Sequence, residues 1–291
     1  MRITALFLAV VLTASCLWGC NKKEDAQIAA TTLPVYQFTL RICEGTGITV
    51  TRLVTESVSC LHDYSLNVPQ VRSAEAAEVI VTSGMGLEEF MEDILHHAPT
   101  VIDSSEGIQP PECHHEESHS DDGHHHDTDP HIWLAPQQAK TMAENICRGL
   151  CKKYPHHEAK FRSNLATLLK DLDALQAYGE KTLSGLSCRE LITFHDGFAY
   201  LAEAFDLHIL RAVEEESGSE ASARELIELI TLVRDHQLPA IFTEANGSVS
   251  AAQIISAETG AALYSLDMAM AGDDYFTAMY HNIDTLKEAL K

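Results

Sequence analysis

HHEAKFRSNLATLLKDLDALQAYGEKTLS, residues 156–184, is the stretch on which the architecture turns. Phe161, Leu165, Leu168, Leu169, Leu172, Leu175, Tyr178 and Leu183 recur within it at helical spacing. At 1.5 Å per residue such a helix would extend roughly 40 Å, which is more than one small lobe needs. It reads as a connector crossing between two lobes.

The chain on either side supports this. Before the connector, short apolar runs alternate with helical patterns: strands at 27–32, 48–54, 78–82 and 100–103, with helices opening at Pro34, Pro69 and Leu87. A further amphipathic helix follows Pro136, with Ala139, Met142, Ala143, Ile146 and Leu150 on one face, and ends at Tyr154-Pro155. After the connector the alternation repeats, with strands at 191–194, 207–210, 239–243 and 261–266, a helix over 197–202 and a closing helix over 274–290. Strands alternating with helices specify parallel sheets covered on both faces. The expectation is an α/β fold of two similar lobes, each a parallel sheet flanked by helices, joined by one long rigid helix. The boundaries are 27–155, 156–186 and 187–291.

A chain of 291 residues accommodates two lobes of ordinary size, and a hydrophobic content of 45% fits globular cores. A net charge of −23 argues against nucleic acid or an anionic membrane surface as partner and is compatible with attracting cations. Sixteen histidines is a high count, and much of the excess falls between His114 and His131.

The N-terminus carries one positive charge and then the apolar run from Ala5 to Leu12, which is a secretory signal rather than a spanning helix. It ends Leu17-Trp18-Gly19-Cys20 and resembles a bacterial lipoprotein signal over residues 1–19, with Cys20 lipidated and 20–26 as a tether. Cys16, or cleavage without a lipid, is the alternative. The compartment is then oxidising, so Cys43, Cys60, Cys113, Cys147, Cys151 and Cys188 could pair. Cys147 and Cys151, four apart near an apolar helix face, read instead as buried free thiols.

Residues 112–128 have almost nothing apolar to offset ordering and read as a mobile surface loop. His114, His115, His119, His124, His125 and His126 make it an accessory, weak metal-binding segment, and Cys113 could join them. It leads into Asp129-Pro130-His131-Ile132-Trp133-Leu134-Ala135-Pro136, where two prolines and two apolar anchors hold His131 rigidly. His62, His131, His195 and Asp267 each sit in a loop or just past a short apolar strand. Ligands of open α/β sheets bind outside the carboxyl ends of the strands. With two candidates per lobe, one ion could lie in the cleft between the lobes, and three imidazoles with one carboxylate complete a tetrahedral zinc shell. His96, His97, His156, His157, His208, His236 and His281 read as surface histidines. Glu244 also ends a strand and could enter the cleft, but is assigned to ordering the backbone there rather than to binding metal.

Six segments carry a family resemblance: His62-Asp63-Tyr64-Ser65, Ser83-Gly84-Met85-Gly86-Leu87-Glu88, Asp129 to Trp133, Phe194-His195-Asp196-Gly197-Phe198, Glu258-Thr259-Gly260 and Ser265-Leu266-Asp267. They resemble the metal-binding receptors of bacterial zinc or manganese ABC importers. The resemblance implies ligands at His62, His131, His195 and Asp267, and a non-enzymatic, monomeric receptor that hands its ion to a membrane permease. It also implies attachment to the membrane only through the lipid. Histidine at the third ligand position and the His-rich loop favour Zn2+ over Mn2+. Met268-Ala269 replaces the proline usual after the aspartate. A zinc hydrolase is the rival from another class, but His115-Glu116-Glu117-Ser118-His119 falls in the loop, and no helix carries a His-Glu-x-x-His pattern. An extracellular metal buffer or adhesin would share the binding chemistry.

Overall fold

The computed structural model describes residues 26–56, 61, 64–110, 129–213, 222–245, 247–270 and 272–291. Its first sheet contains β1 (Ile28–Ala30), β2 (Val50–Arg52), β3 (Val79–Thr82) and β4 (Val101–Asp103), all parallel, in the order β2-β1-β3-β4. Helices α1 (Leu33–Ile42), α2 (Val68–Ala76) and α3 (Glu92–His97) lie between these strands. α4 (Pro136–Lys153) then leads through a single 3-10 turn into α5 (Glu158–Leu183), a helix of 26 residues. The second sheet repeats the first. β5 (Glu190–Thr193), β6 (His208–Ala212), β7 (Ala240–Glu244) and β8 (Ala262–Leu266) are parallel in the order β6-β5-β7-β8. Helices α6 (Ala199–Ala204), α7 (Ala223–Asp235), α8 (Ser250–Thr259) and α9 (Tyr275–Leu290) complete it. In both sheets the strand order reverses between the second and third positions, so each has a crevice at the carboxyl ends of its central strands.

α5 buries Phe161, Leu168, Leu172, Leu175 and Leu183 on one stripe. It is tied to both halves by polar contacts as well. Asn164 Nδ2 donates to Ile42 O (2.9 Å) and Glu44 O (2.8 Å), and Tyr178 OH donates to Asp284 Oδ1 (2.6 Å). Gly179 is required by packing, because a Cβ there would stand 2.1 Å from Phe205 Cε1. One apolar cluster runs from Ile28 of the first sheet through α4 and α5 to Leu290. Hydrogen bonds also cross directly between the halves. Trp133 Nε1 donates to Met268 O (2.7 Å), Tyr275 OH to Trp133 O (2.7 Å), and Arg52 Nη1 to Gly272 O (2.9 Å). Two lobes sharing a core and polar ties resist hinge opening. Removal of metal is expected to leave the radius of gyration in solution scattering unchanged. A large expansion would contradict a rigid connector.

One local expectation differs from the structure. The helix anticipated from Leu87 is a 3-10 turn at Glu89–Met91 followed by α3. The reason is Glu88, whose buried carboxylate folds back to accept Thr31 Oγ1 (2.6 Å), Ser83 N (2.7 Å) and Gly84 N (3.0 Å). α7 begins just past residues 214–221, which lie outside the described residues. Ser222 is the cap, in a reciprocal capping box with Glu225.

Burial pushes Glu88 up to about 7 despite those hydrogen bonds. Its folded form therefore keeps a proton that the unfolded chain loses near pH ~4.3. The stability this contributes is complete below that pH and is lost as pH rises through about 7. Melting temperatures of the metal-free chain at pH 5 and 8 check this: Glu88→Gln is expected to flatten the decline.

Candidate metal centre

His131 is built for one tautomer. Its backbone N–H donates to Asp129 Oδ1 (2.9 Å), and ring Nδ1 meets the same oxygen at 2.7 Å. A carboxylate held there keeps the proton on Nδ1 and leaves the Nε2 lone pair for a metal. The ring is only 2% exposed and stands edge-on to Trp133, with centroids 5.4 Å apart. Trp133, itself fully buried, is locked by its bond to Met268 O.

His195 follows β5 from the opposite sheet, and its ring meets His131 edge-on with centroids 5.2 Å apart. The two Nε2 atoms are 3.5 Å apart. A tetrahedral zinc ion with bonds of ~2.0–2.1 Å sets neighbouring nitrogens ~3.3–3.4 Å apart, so this separation is close to one edge of such a shell. His195 Nδ1 lies 3.4 Å from Glu244 Oε2, across the adjacent strand end of β7. Burial, and then repulsion from Asp267, push Glu244 up to about 8. Its Oε1 is buried without a hydrogen-bond partner among the described residues.

Asp267 leaves the end of β8 on a clamp. Its N–H donates to Asn282 Oδ1 (2.8 Å), its carbonyl accepts from Asn282 Nδ2 (2.7 Å), and its Oδ1 accepts from Ala269 N (2.7 Å). The loop thus holds its shape without the missing proline, with Ala269 in the left-handed region at φ 54°. Asn282, fully buried on α9, takes over the positioning.

The structure brings His131 and His195 together, sets Glu244 against His195, and places Asp267 near enough to raise Glu244. Among the described residues, no three His, Cys, Asp or Glu side chains converge on one point. His62 lies outside the described residues, as do Cys20 and the six histidines of 112–128. Two participants were undervalued in the sequence. Glu244 terminates an apolar strand at the level of His195, and that pattern was the available signal. Gly197 gave none. A Cβ there would lie 2.7 Å from His195 Cδ2, 2.7 Å from Met268 Cε and 2.8 Å from His131 Nδ1, so the imidazole pair occupies the space that its missing side chain leaves.

A Treponema pallidum (strain Nichols) protein named for metal binding is 28% identical over 259 residues, covering 84% of this chain and 81% of that protein. The zinc-binding lipoprotein AdcA of Streptococcus pneumoniae serotype 4 is 28% identical over 308 residues. That match takes in 99% of this chain but 61% of AdcA, so the chain spans only part of that relative's length. A crystal structure of ZnuA superposes with a TM-score of 0.76 at 28% identity, over 91% of this chain and 99% of that one. A match to zinc-uptake complex component A, periplasmic, runs over residues 28–289. The chain belongs to that ZnuA family of periplasmic zinc-uptake components.

Proposed function

We propose that this chain holds one zinc ion between its two sheets through His62, His131, His195 and Asp267 and passes it to an ABC-type permease. We further propose that it does so as a monomer tethered through lipidated Cys20. The family consists of extracytoplasmic receptors rather than enzymes, and zinc is its cargo. The observation that carries the ligand assignment is the pair of Nε2 atoms 3.5 Å apart, contributed by opposite halves of the chain. With its proton held on Nδ1 by Asp129, His131 turns the Nε2 lone pair toward His195, and a cation between the two nitrogens would convert their contact into shared coordination.

Asp267 supplies the charge that the imidazoles lack. A doubly charged ion partly removed from water is costly unless it is paired. Asp267→Asn keeps the size and the Asn282 clamp but loses the charge. It is expected to weaken zinc binding by roughly tenfold or more, about 1.4 kcal/mol, with normal melting of the metal-free chain. Competition titration against a chromophoric chelator measures this. Unchanged affinity would assign the fourth position to Glu244 or to water.

The accessory role of 112–128 is separable. Chelation by flexible ligands costs ordering entropy, so affinity there falls well below that of the cleft. Deleting 112–127 is expected to remove weak zinc equivalents in equilibrium dialysis and leave one tight ion. Loss of the tight ion would overturn the accessory role.

A further inference from the structure

Asp267 is supported from two directions. Its own lobe supplies the Asn282 clamp, and the connection from Asp267 to α9 is gripped from the first lobe. Gln37, on α1, donates through Nε2 to Asp273 O (2.5 Å) and accepts through Oε1 from Tyr275 N (2.8 Å). Tyr275 opens α9, so its N–H is one of those a helix leaves without an internal partner. Arg52, the last residue of β2, donates to Gly272 O, and Trp133 Nε1 donates to Met268 O. The Gln37 amide satisfies a carbonyl and an N–H at once, and adds no charge beside Asp273 and Asp274.

These ties meet a stretch that does little to hold itself. Residues 268–275 contain no proline, and Gly272, Asp273 and Asp274 are exposed. Ala269 stands in the left-handed region at φ 54°, a conformation that persists only where the surroundings over-determine it. The N–H of that same residue donates to Asp267 Oδ1 (2.7 Å). Once the grip is released, Ala269 relaxes toward ordinary torsions, this bond is lost, and the carboxylate turns freely.

We propose that Gln37 is a positioning residue for Asp267, acting from the opposite lobe to set how long zinc is held, with Arg52 as its second. This rests on the assignment of Asp267 as a ligand. The grip acts on the bound state, so its loss shows in dissociation rather than in association.

The test mixes the zinc-loaded full chain with excess chromophoric chelator in a stopped-flow instrument. It compares the parent, Gln37→Leu, Asp267→Asn and the double variant, with far-ultraviolet dichroism confirming that each has folded. Gln37→Leu is expected to speed zinc dissociation roughly five- to tenfold, within the range for residues coupled through one network, and to leave association within about twofold. In the Asp267→Asn background the same change is expected to have almost no effect. Gln37→Glu, less demanding of the fold, keeps the acceptor for Tyr275 and loses the donor to Asp273, so its rate is expected to fall between parent and leucine. Tyr178→Phe removes a different hydrogen bond to α9, at Asp284, and is expected to keep the parent rate. Parent-like dissociation in folded Gln37→Leu or Gln37→Glu would overturn the proposal. So would equal acceleration by Gln37→Leu with and without Asp267, or by Tyr178→Phe, because either would mean a general loosening of the fold. If Asp267→Asn alone releases zinc at the parent rate, the ligand assignment fails and takes the proposal with it. That failure is read in a single variant, apart from the Gln37 comparisons.

Discussion

Gly197→Ala is expected to weaken zinc binding by roughly 100-fold, the upper end for positions that orient ligands, while the two sheets stay folded. The backbone at Gly197 is not in the left-handed region, so alanine faces no torsional penalty there. The penalty is purely one of space. The added methyl would sit inside 3 Å of His195, His131 and Met268 at once. Met268 Cε is a flexible end and can withdraw, but the imidazoles are ring atoms held by Asp129 and the packing around Trp133. Something must turn, and turning either ring spoils the 3.5 Å pairing. Gly185→Ala, with nothing within 4 Å, is the control. Competition titration alongside thermal melting separates lost affinity from lost folding. Unchanged affinity would mean that the metal-bound rings lie elsewhere.

His131→Ala and His195→Ala are expected to act alike on zinc and differently on the fold. Apparent zinc binding of ~10–16 kcal/mol, divided among four ligands, gives ~2.5–4 kcal/mol each, or roughly 60- to 700-fold in affinity. His131 is buried against Trp133, so its removal also leaves a cavity in the contact between the halves. The metal-free His131→Ala chain is expected to melt several degrees lower, consistent with a loss of ~1–3 kcal/mol. His195 has a side chain 17% exposed, and its removal is expected to leave melting of the metal-free chain nearly unchanged. Equal losses of stability in the two variants would contradict this division of roles.

The architecture was legible because its signals are periodic. Apolar spacing over 156–184 announced the long helix, and short β-branched runs announced the strands. His131 and His195 were legible for a different reason: His195 follows an apolar strand and His131 is followed at once by the apolar anchors Ile132 and Trp133, so the position of each is fixed. What the sequence withheld depends on proximity across the fold. Gly197 matters because of the side chains that occupy its space, two of which come from residues 131 and 268. Asn282 supports Asp267 from 15 residues away on another element. Glu88 broke the helix read from Leu87 because its carboxylate bonds the β1 and β3 loops rather than solvent.

The central claim is that the two halves share one zinc ion through imidazole nitrogen and carboxylate oxygen. X-ray absorption at the zinc edge, on the full chain loaded with one equivalent, tests this most directly. About four nitrogen or oxygen neighbours are expected at ~2.0–2.1 Å, with the outer-shell signature of three imidazoles and no sulfur. His131→Ala and His195→Ala should each remove one imidazole from that signature. A shell containing sulfur at ~2.3 Å, or an imidazole count unchanged in both variants, would contradict it.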